Sequence, residues 1–248
     1  MSVAAPPIAA SEDMPEADKR DLWFCWWVLP FFYSFFGLIF VLLTHVMPPP
    51  SPHKTDEQIT AFFHAHGTTI QIGFAILMVV IGGSGILNGF VAYEMKRMSV
   101  TPVFAYTYIA TLAVGAIPGC LMCAFSFLVA SFRPDRDPHI VAMLYDVALL
   151  TFVGSLGCFA AQYLTLGIAI LLDKNEIFPK WFAYVSFWNV ITELLAAPVF
   201  VFKKGPFSWN GAISFWEGTV IFVIYLNCFI LLLRKAVQDQ RAGEVVQD

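Results

Sequence analysis

Six apolar runs, each long enough to cross a hydrocarbon layer as a helix, decide most of what this chain can fold into. A bilayer core of about 30 Å needs about 20 helical residues. The runs cover about 22–46, 68–93, 102–132, 140–172, 181–202 and 212–233. None alternates with period two, and all are too long for barrel strands. The expected fold class is therefore all-α: a polytopic membrane protein, a bundle of six transmembrane helices with the lipid bilayer as its surroundings. Composition agrees, with 58% hydrophobic and only 13% charged residues, where a soluble domain carries roughly 25% charged. That excludes an ordinary soluble domain and, away from the ends, a disordered chain. The net charge is −4 and no basic block is long enough to grip nucleic acid, so no nucleic-acid partner is expected.

Punctuation between the runs has physical causes. Pro48-Pro49-Pro50 ends the first, and Pro102 and Pro138 sit where a first-turn proline sacrifices no hydrogen bond. Asp137 is a candidate N-cap, and Pro179 and Lys203-Lys204-Gly205-Pro206 bracket the fifth run. Residues 1–21 are read as a disordered cytoplasmic tail, 22–236 as the transmembrane domain and 237–248 as a second cytoplasmic tail. The acidic, Pro/Ala-rich start lacks the order of a secretory signal, so the first run is read as a retained helix. With the N-terminus inside, Lys19, Arg20, Lys96, Arg97, Lys174, Lys180, Arg234, Lys235 and Arg241 are cytoplasmic, against Lys54, Arg133, Arg136, Lys203 and Lys204 outside. Nine basic residues against five place both termini in the cytoplasm, in a bacterial-type plasma membrane. All five cysteines lie inside apolar runs, which is no disulfide framework. Cys120-Leu121-Met122-Cys123 has redox-motif spacing, but its place inside a run favours packing.

Gly82-Gly83-Ser84-Gly85 and Gly89 give the second helix a small-residue face. Such a face lets another helix approach closely, here within the bundle or in a homo-oligomer. A glycine cluster can equally loosen a helix near a ligand. The two halves of the chain show no repeat and no clear pair of broken helices, features found in many carriers.

Polar residues inside the runs are the informative ones. Glu193 lies near the middle of the fifth run with Asn189 one turn earlier on the same face, so the amide is placed to hydrogen-bond the carboxyl. Facing lipid as an ion it would cost about 2.5–3.5 kcal/mol. Glu193 therefore faces the bundle or a wet cavity, either as a ligand or proton group or as a protonated carboxyl tying two helices. Asp146 lies about two turns into the fourth run, with His139 on the same face. It either joins a pocket or pairs with Arg133 or Arg136. Glu217 fits a capping box with Ser214 and also faces the outer level. His64, His66 and Gln71 open the second run, and with His139 the histidines form a candidate ligand set for haem or a divalent metal. His45 and His53 are read as surface residues. These groups share the outer third, with Glu193 below them, which suggests a polar pocket opening outward. Gln162, Tyr163, Tyr106 and Tyr108 are polar on the inner side, and Gln162 is expected to bond a neighbouring helix. Trp23, Trp26, Trp27, Trp181 and Trp209 form the expected aromatic belts.

Asp173, Ile177-Phe178-Pro179-Lys180-Trp181 and then, after a span, Gly205-Pro206-Phe207-Ser208-Trp209-Asn210-Gly211 resemble a group of uncharacterised bacterial six-helix multi-pass membrane proteins. That resemblance implies the fold and no activity. Trp209 and Asn210 are its most recognisable residues, read either as binding residues or as an interfacial turn. Ala65-His66-Gly67 leading into a helix with Gln71 and Gly73 is similar to the start of the haem-bearing helix in membrane epoxide (styrene-oxide-type) isomerases, which would imply His66 as a haem ligand.

Three functions fit these residues. One is a membrane-embedded enzyme using Glu193 or Asp146 for acid/base chemistry on a small lipophilic molecule. The others are a proton-coupled carrier using the same carboxyls, and a noncatalytic membrane subunit or assembly factor.

Overall fold

The computed structural model describes residues 16–154 and 157–240, and among them the chain is helical with no strand. The α-helices are α1 Glu16–Leu43, α2 Asp56–Val80, α3 Gly83–Lys96, α4 Val103–Ala116, α5 Cys123–Phe132, α6 Pro138–Val153, α7 Gly157–Leu172, α8 Lys180–Ala196 and α9 Gly218–Asp239. Two π-helical turns, Ile117–Met122 and Ala212–Glu217, and a 3-10 turn, Ala197–Phe200, complete the order. Together they form six rods long and apolar enough to cross a membrane by length and composition: Lys19–Leu43, Asp56–Lys96, Val103–Phe132, Pro138–Leu172, Lys180–Phe200 and Ala212–Asp239.

Several boundaries differ from the sequence reading. Helix α1 begins at Glu16, ahead of the apolar run. Helix α2 begins at Asp56, because Thr55 and Gln58 form a reciprocal capping box and Asp56 and Glu57 complement the positive helix end. At the other end of the chain α9 continues to Asp239, and the buried Gln240 donates to the Tyr93 hydroxyl at 2.7 Å. The remainder of the two expected tails, 1–15 and 241–248, lies outside the described residues. Asp137 does cap α6, accepting from the His139 backbone N–H.

Lys19 reaches the Gln238 carbonyl, so α1 starts beside the end of α9. This proximal end also holds the α3–α4 and α7–α8 connections. The distal end holds the loops after α1, α5 and α8. Two hydrophobic clusters divide the rods by height. The proximal one gathers Trp26, Phe90, Leu166, Phe182 and Phe229 from α1, α3, α7, α8 and α9. The distal one gathers Phe40, Phe63, Phe74, Phe127 and Leu149 from α1, α2, α5 and α6.

Three consecutive rods change partners between those clusters, and each is interrupted there. The sequence showed no clear broken helices, so this is a correction. Rod two breaks at Ile81-Gly82, where Ser84 N and Oγ both donate to the Ile81 carbonyl and Gly85 N turns back to Gly82. Rod three widens into the π-turn Ile117–Met122, where Pro118 offers no backbone N–H. Rod four leaves the helix at Gly154 with an extended ψ of 140°. A Cβ at Gly154 would overlap the Leu150 carbonyl and the Phe200 ring, which is why a glycine stands there. Distal to the breaks, α2 packs on α5 and α6. Proximal to them, α3 packs on α4, α4 on α7, and α7 on α8.

The proximal end is tied by a buried polar knot. Arg97 pairs with Glu94, and its Nη1 donates to the Ala236 carbonyl at 3.0 Å. Asp173 accepts from Ser99 N and Oγ, Asn175 N and Ile177 N, while Lys180 Nζ caps α7 through the Ile170, Leu171 and Asp173 carbonyls. Glu94 and Arg97 are 0% and 3% exposed. Arg97→Met therefore removes the guanidinium from a buried carboxylate and is expected to destabilise by about 3–5 kcal/mol. The Glu94→Leu/Arg97→Met pair should recover most of that loss, as thermal unfolding in detergent would measure.

Candidate functional site

All three interruptions border one cavity. Its volume is about 70 Å³, and its wall takes Phe36 and Phe40 from α1, Ile81 from the first break, Cys120 from the π-turn and Phe152 just before Gly154. The wall is apolar, with no hydrogen-bonding side chain apart from the Cys120 and Cys123 thiols. The C-x-x-C pair thus runs from a widened helical turn into the first residue of α5 beside a cavity, with both cysteines free.

Directly proximal to the cavity sits a cluster of phenols. Tyr33 lies one turn before Phe36 on α1 and is within electrostatic reach of Cys120. Tyr108 of α4 interacts with Gln162 of α7 and with Tyr225 of α9. The Tyr163 and Tyr225 rings meet edge to face at 5.1 Å. The Tyr225 hydroxyl is sealed from solvent and has no partner in hydrogen-bonding geometry, although Tyr108 is beside it. Glu193 of α8, half-buried, borders this cluster next to Tyr163. Asn189 is buried, and its Nδ2 donates to the Val185 carbonyl at 3.1 Å. The site is thus a small apolar chamber with a separate cluster of phenols outside its wall, which Gln162 joins and Glu193 borders.

The expected single outward pocket is divided. Asp146 is exposed and lines a distal cleft with Asp56 and His139, while Glu193 belongs to the phenol cluster. Gln71 spends its amide on the Ser131 carbonyl, 2.7 Å away, fastening α2 to α5. Glu217 ends a π-turn and makes no side-chain cap, because Ser214 donates instead to the Leu195 and Phe207 carbonyls, so the capping box does not form. Trp209 is buried, with its indole N–H on the Pro50 carbonyl at 2.8 Å and its ring on Tyr145, and Asn210 accepts from the Ser208 hydroxyl. These two shape a strap from the α8–α9 connection to the α1–α2 connection. Of the small-residue face, Gly83 packs on Phe32 while Gly85 and Gly89 look into open space.

The histidines do not assemble into the expected ligand set. His64 faces Asp135 at 3.6 Å and His139 faces Asp56 at 3.2 Å. His66 stacks on His45 with ring centroids 4.2 Å apart. Among the described residues no three His, Cys, Asp or Glu side chains are placed to share a metal ion. Haem or metal ligation by His66 is left without a gathered donor set. His45, read as a surface residue, is instead half-buried in a left-handed backbone conformation, φ 56°. Thr69 donates to the His66 carbonyl, so its hydroxyl accepts from His45 Nε2–H, which fixes that tautomer.

Sequence reasoning missed Tyr33, Tyr225 and the three breaks. The signals were present: two tyrosines deep inside runs instead of at their ends, and rods two to four of 41, 30 and 35 residues, where about 20 suffice. The chain matches no protein-family model, and no curated protein or solved structure matches it. The site is therefore read from its own chemistry.

Burial, and secondarily the neighbouring His66, hold the His45 imidazole below the ordinary histidine value of 6.5. Protonation in acid thus opposes the stack, whose contribution is present above that value and lost as the pH falls through the lowered one. In an NMR titration His45 should titrate below 6.5. In His66→Gln the shift should shrink and not vanish, because burial is the larger cause.

Proposed function

We propose that this is an integral membrane protein that takes a small, mostly apolar molecule with one polar group into the chamber at the helix breaks and carries it across the membrane, using Glu193 as the protonatable group. The observation that carries this reading is the convergence of three broken rods on one cavity. Non-helical backbone at membrane depth is tolerated where it is buried in protein or lines a cavity. Discontinuous helices also mark the substrate level of many carriers. The apolar wall suits the body of such a molecule, and Tyr33, Gln162 and the neighbouring phenols suit its polar group. A half-buried carboxyl beside them is the natural coupling group, since its charge is costly there and its neutral form is not. The excess of basic residues at the proximal end supports a cytoplasmic placement of both chain ends, in a plasma membrane of bacterial type. The open face at Gly85 and Gly89 supports close self-association there.

A second reading, acid/base catalysis on the same molecule, is favoured by one proximity, Glu193 within electrostatic reach of Tyr163. Two titratable groups near one another can hold and return a proton.

Reconstituted vesicles distinguish these. Radiolabelled benzoate or benzylamine should accumulate with an imposed proton gradient, and Glu193→Gln should abolish the gradient dependence. Ala124→Leu, which fills the cavity wall, should block uptake while stability falls by about 1–3 kcal/mol. Uptake of neither probe above protein-free vesicles, or an unchanged gradient dependence in Glu193→Gln, would sink the carrier reading.

A further inference from the structure

A second cavity lies at the distal end, apart from the chamber. It is a cleft of about 280 Å³ between the start of α2 and one face of α6. Asp56, His139 and Asp146 supply its polar wall, and Met143, Val147 and Leu150 its apolar one. His139, Met143, Asp146 and Leu150 recur at helical spacing, so a single α6 face carries both characters. The charges are unequally engaged. Asp56 Oδ2 is taken by His139 at 3.2 Å. Asp146 makes no hydrogen bond or ion pair among the described residues. Lys203, on the exposed turn after α8, is near enough for its charge to act on Asp146 without pairing with it.

Two carboxylates on an apolar groove, with the Lys203 ammonium close enough for its charge to reach Asp146, are complementary to an ion pair on an amphiphile. We infer that this cleft binds the headgroup of a zwitterionic aminophospholipid, its ammonium shared by Asp146 and Asp56, its phosphate toward Lys203 and one acyl chain along Val147 and Leu150. A simple metal ion is disfavoured by the donor count, because the described side chains place no three ligands together. A simple anion is disfavoured by the two carboxylates. A primary ammonium has three N–H donors to divide between two carboxylates, and a trimethylated one has none, so the cleft should separate ethanolamine from choline lipids. The depth is also right. Asp146 lies eight residues, about 12 Å, from the α6 N-terminus, and Leu150 continues toward the helix breaks. This inference rests on membrane residence but not on transport.

The test is native mass spectrometry of the full chain released from vesicles of equal phosphatidylethanolamine, phosphatidylcholine and phosphatidylglycerol. The ethanolamine lipid should be retained about tenfold over the other two. Asp146→Asn and Lys203→Gln, both surface changes, should each lower that preference about tenfold with the thermal midpoint unchanged. Equal retention of choline and ethanolamine lipids, or an unaltered preference in Asp146→Asn, would overturn the assignment. Millimolar glycerophosphoethanolamine should fail to displace the lipid. Full displacement would assign the cleft to a soluble phosphoethanolamine ligand and overturn the lipid. Benzoate or benzylamine flux in Asp146→Asn, read separately, stays dependent on Glu193, so failure of one proposal leaves the other standing.

Discussion

A helix that stops inside an apolar environment leaves backbone N–H and C=O groups that must find partners, and most of this architecture follows from how those groups are satisfied. At Ile81 the carbonyl receives both the amide and the hydroxyl of Ser84, and the Ser84 carbonyl in turn receives Asn88 Nδ2 at 2.5 Å. At the π-turn a proline deletes one donor outright. At Gly154 the amide still returns to Leu150, and the missing side chain admits Phe200. With the polar groups answered locally, the rods are free to turn and choose new neighbours. The distal cluster of α2, α5 and α6 and the proximal cluster around α7 and α8 are the outcome, and the chamber is what remains where they do not interdigitate.

The two ends of the molecule are held by different means. The proximal end is fixed by multiply bonded groups: the buried Arg97 on Glu94 and Ala236, the buried Asp173 on three residues of two loops, and the half-buried Lys180 across the end of α7. The distal end has its own hydrophobic cluster, and its polar contacts are single ones, such as Trp209 on Pro50, Gln71 on Ser131 and exposed His–Asp pairs. Hydrogen bonds and ion pairs contribute more where both partners are removed from water, and exposed ones contribute little.

Much of this was legible in the sequence. Run length and the prolines gave six rods in the right order, because the period of apolar residues and the absence of a proline N–H act locally. Asp137 capped its helix as its position implied. The polar residues inside runs stand out in the sequence, yet their grouping does not. Asp146 and Glu193 were assigned one pocket, and the helix interruptions that separate their surroundings depend on which rods meet at mid-length. His45 reads as a surface residue in the sequence because its stack on His66 is a contact across a loop, invisible to spacing. Ser214 and Glu217 matched a capping pattern, but a widened turn and the nearby Leu195 and Phe207 carbonyls drew the serine elsewhere.

The rods are unequal. The second, third and fourth run for 41, 30 and 35 residues, and the first, fifth and sixth for 25, 21 and 28. Where a rod is longer than a bilayer is thick, the mismatch is met by tilting, bending or local stretching of the lipid. The tall rods are the ones already jointed. With the chain in a bilayer as proposed, a thin one would favour folding the rods at those joints and a thick one extending them, so membrane thickness would act on the geometry of the chamber.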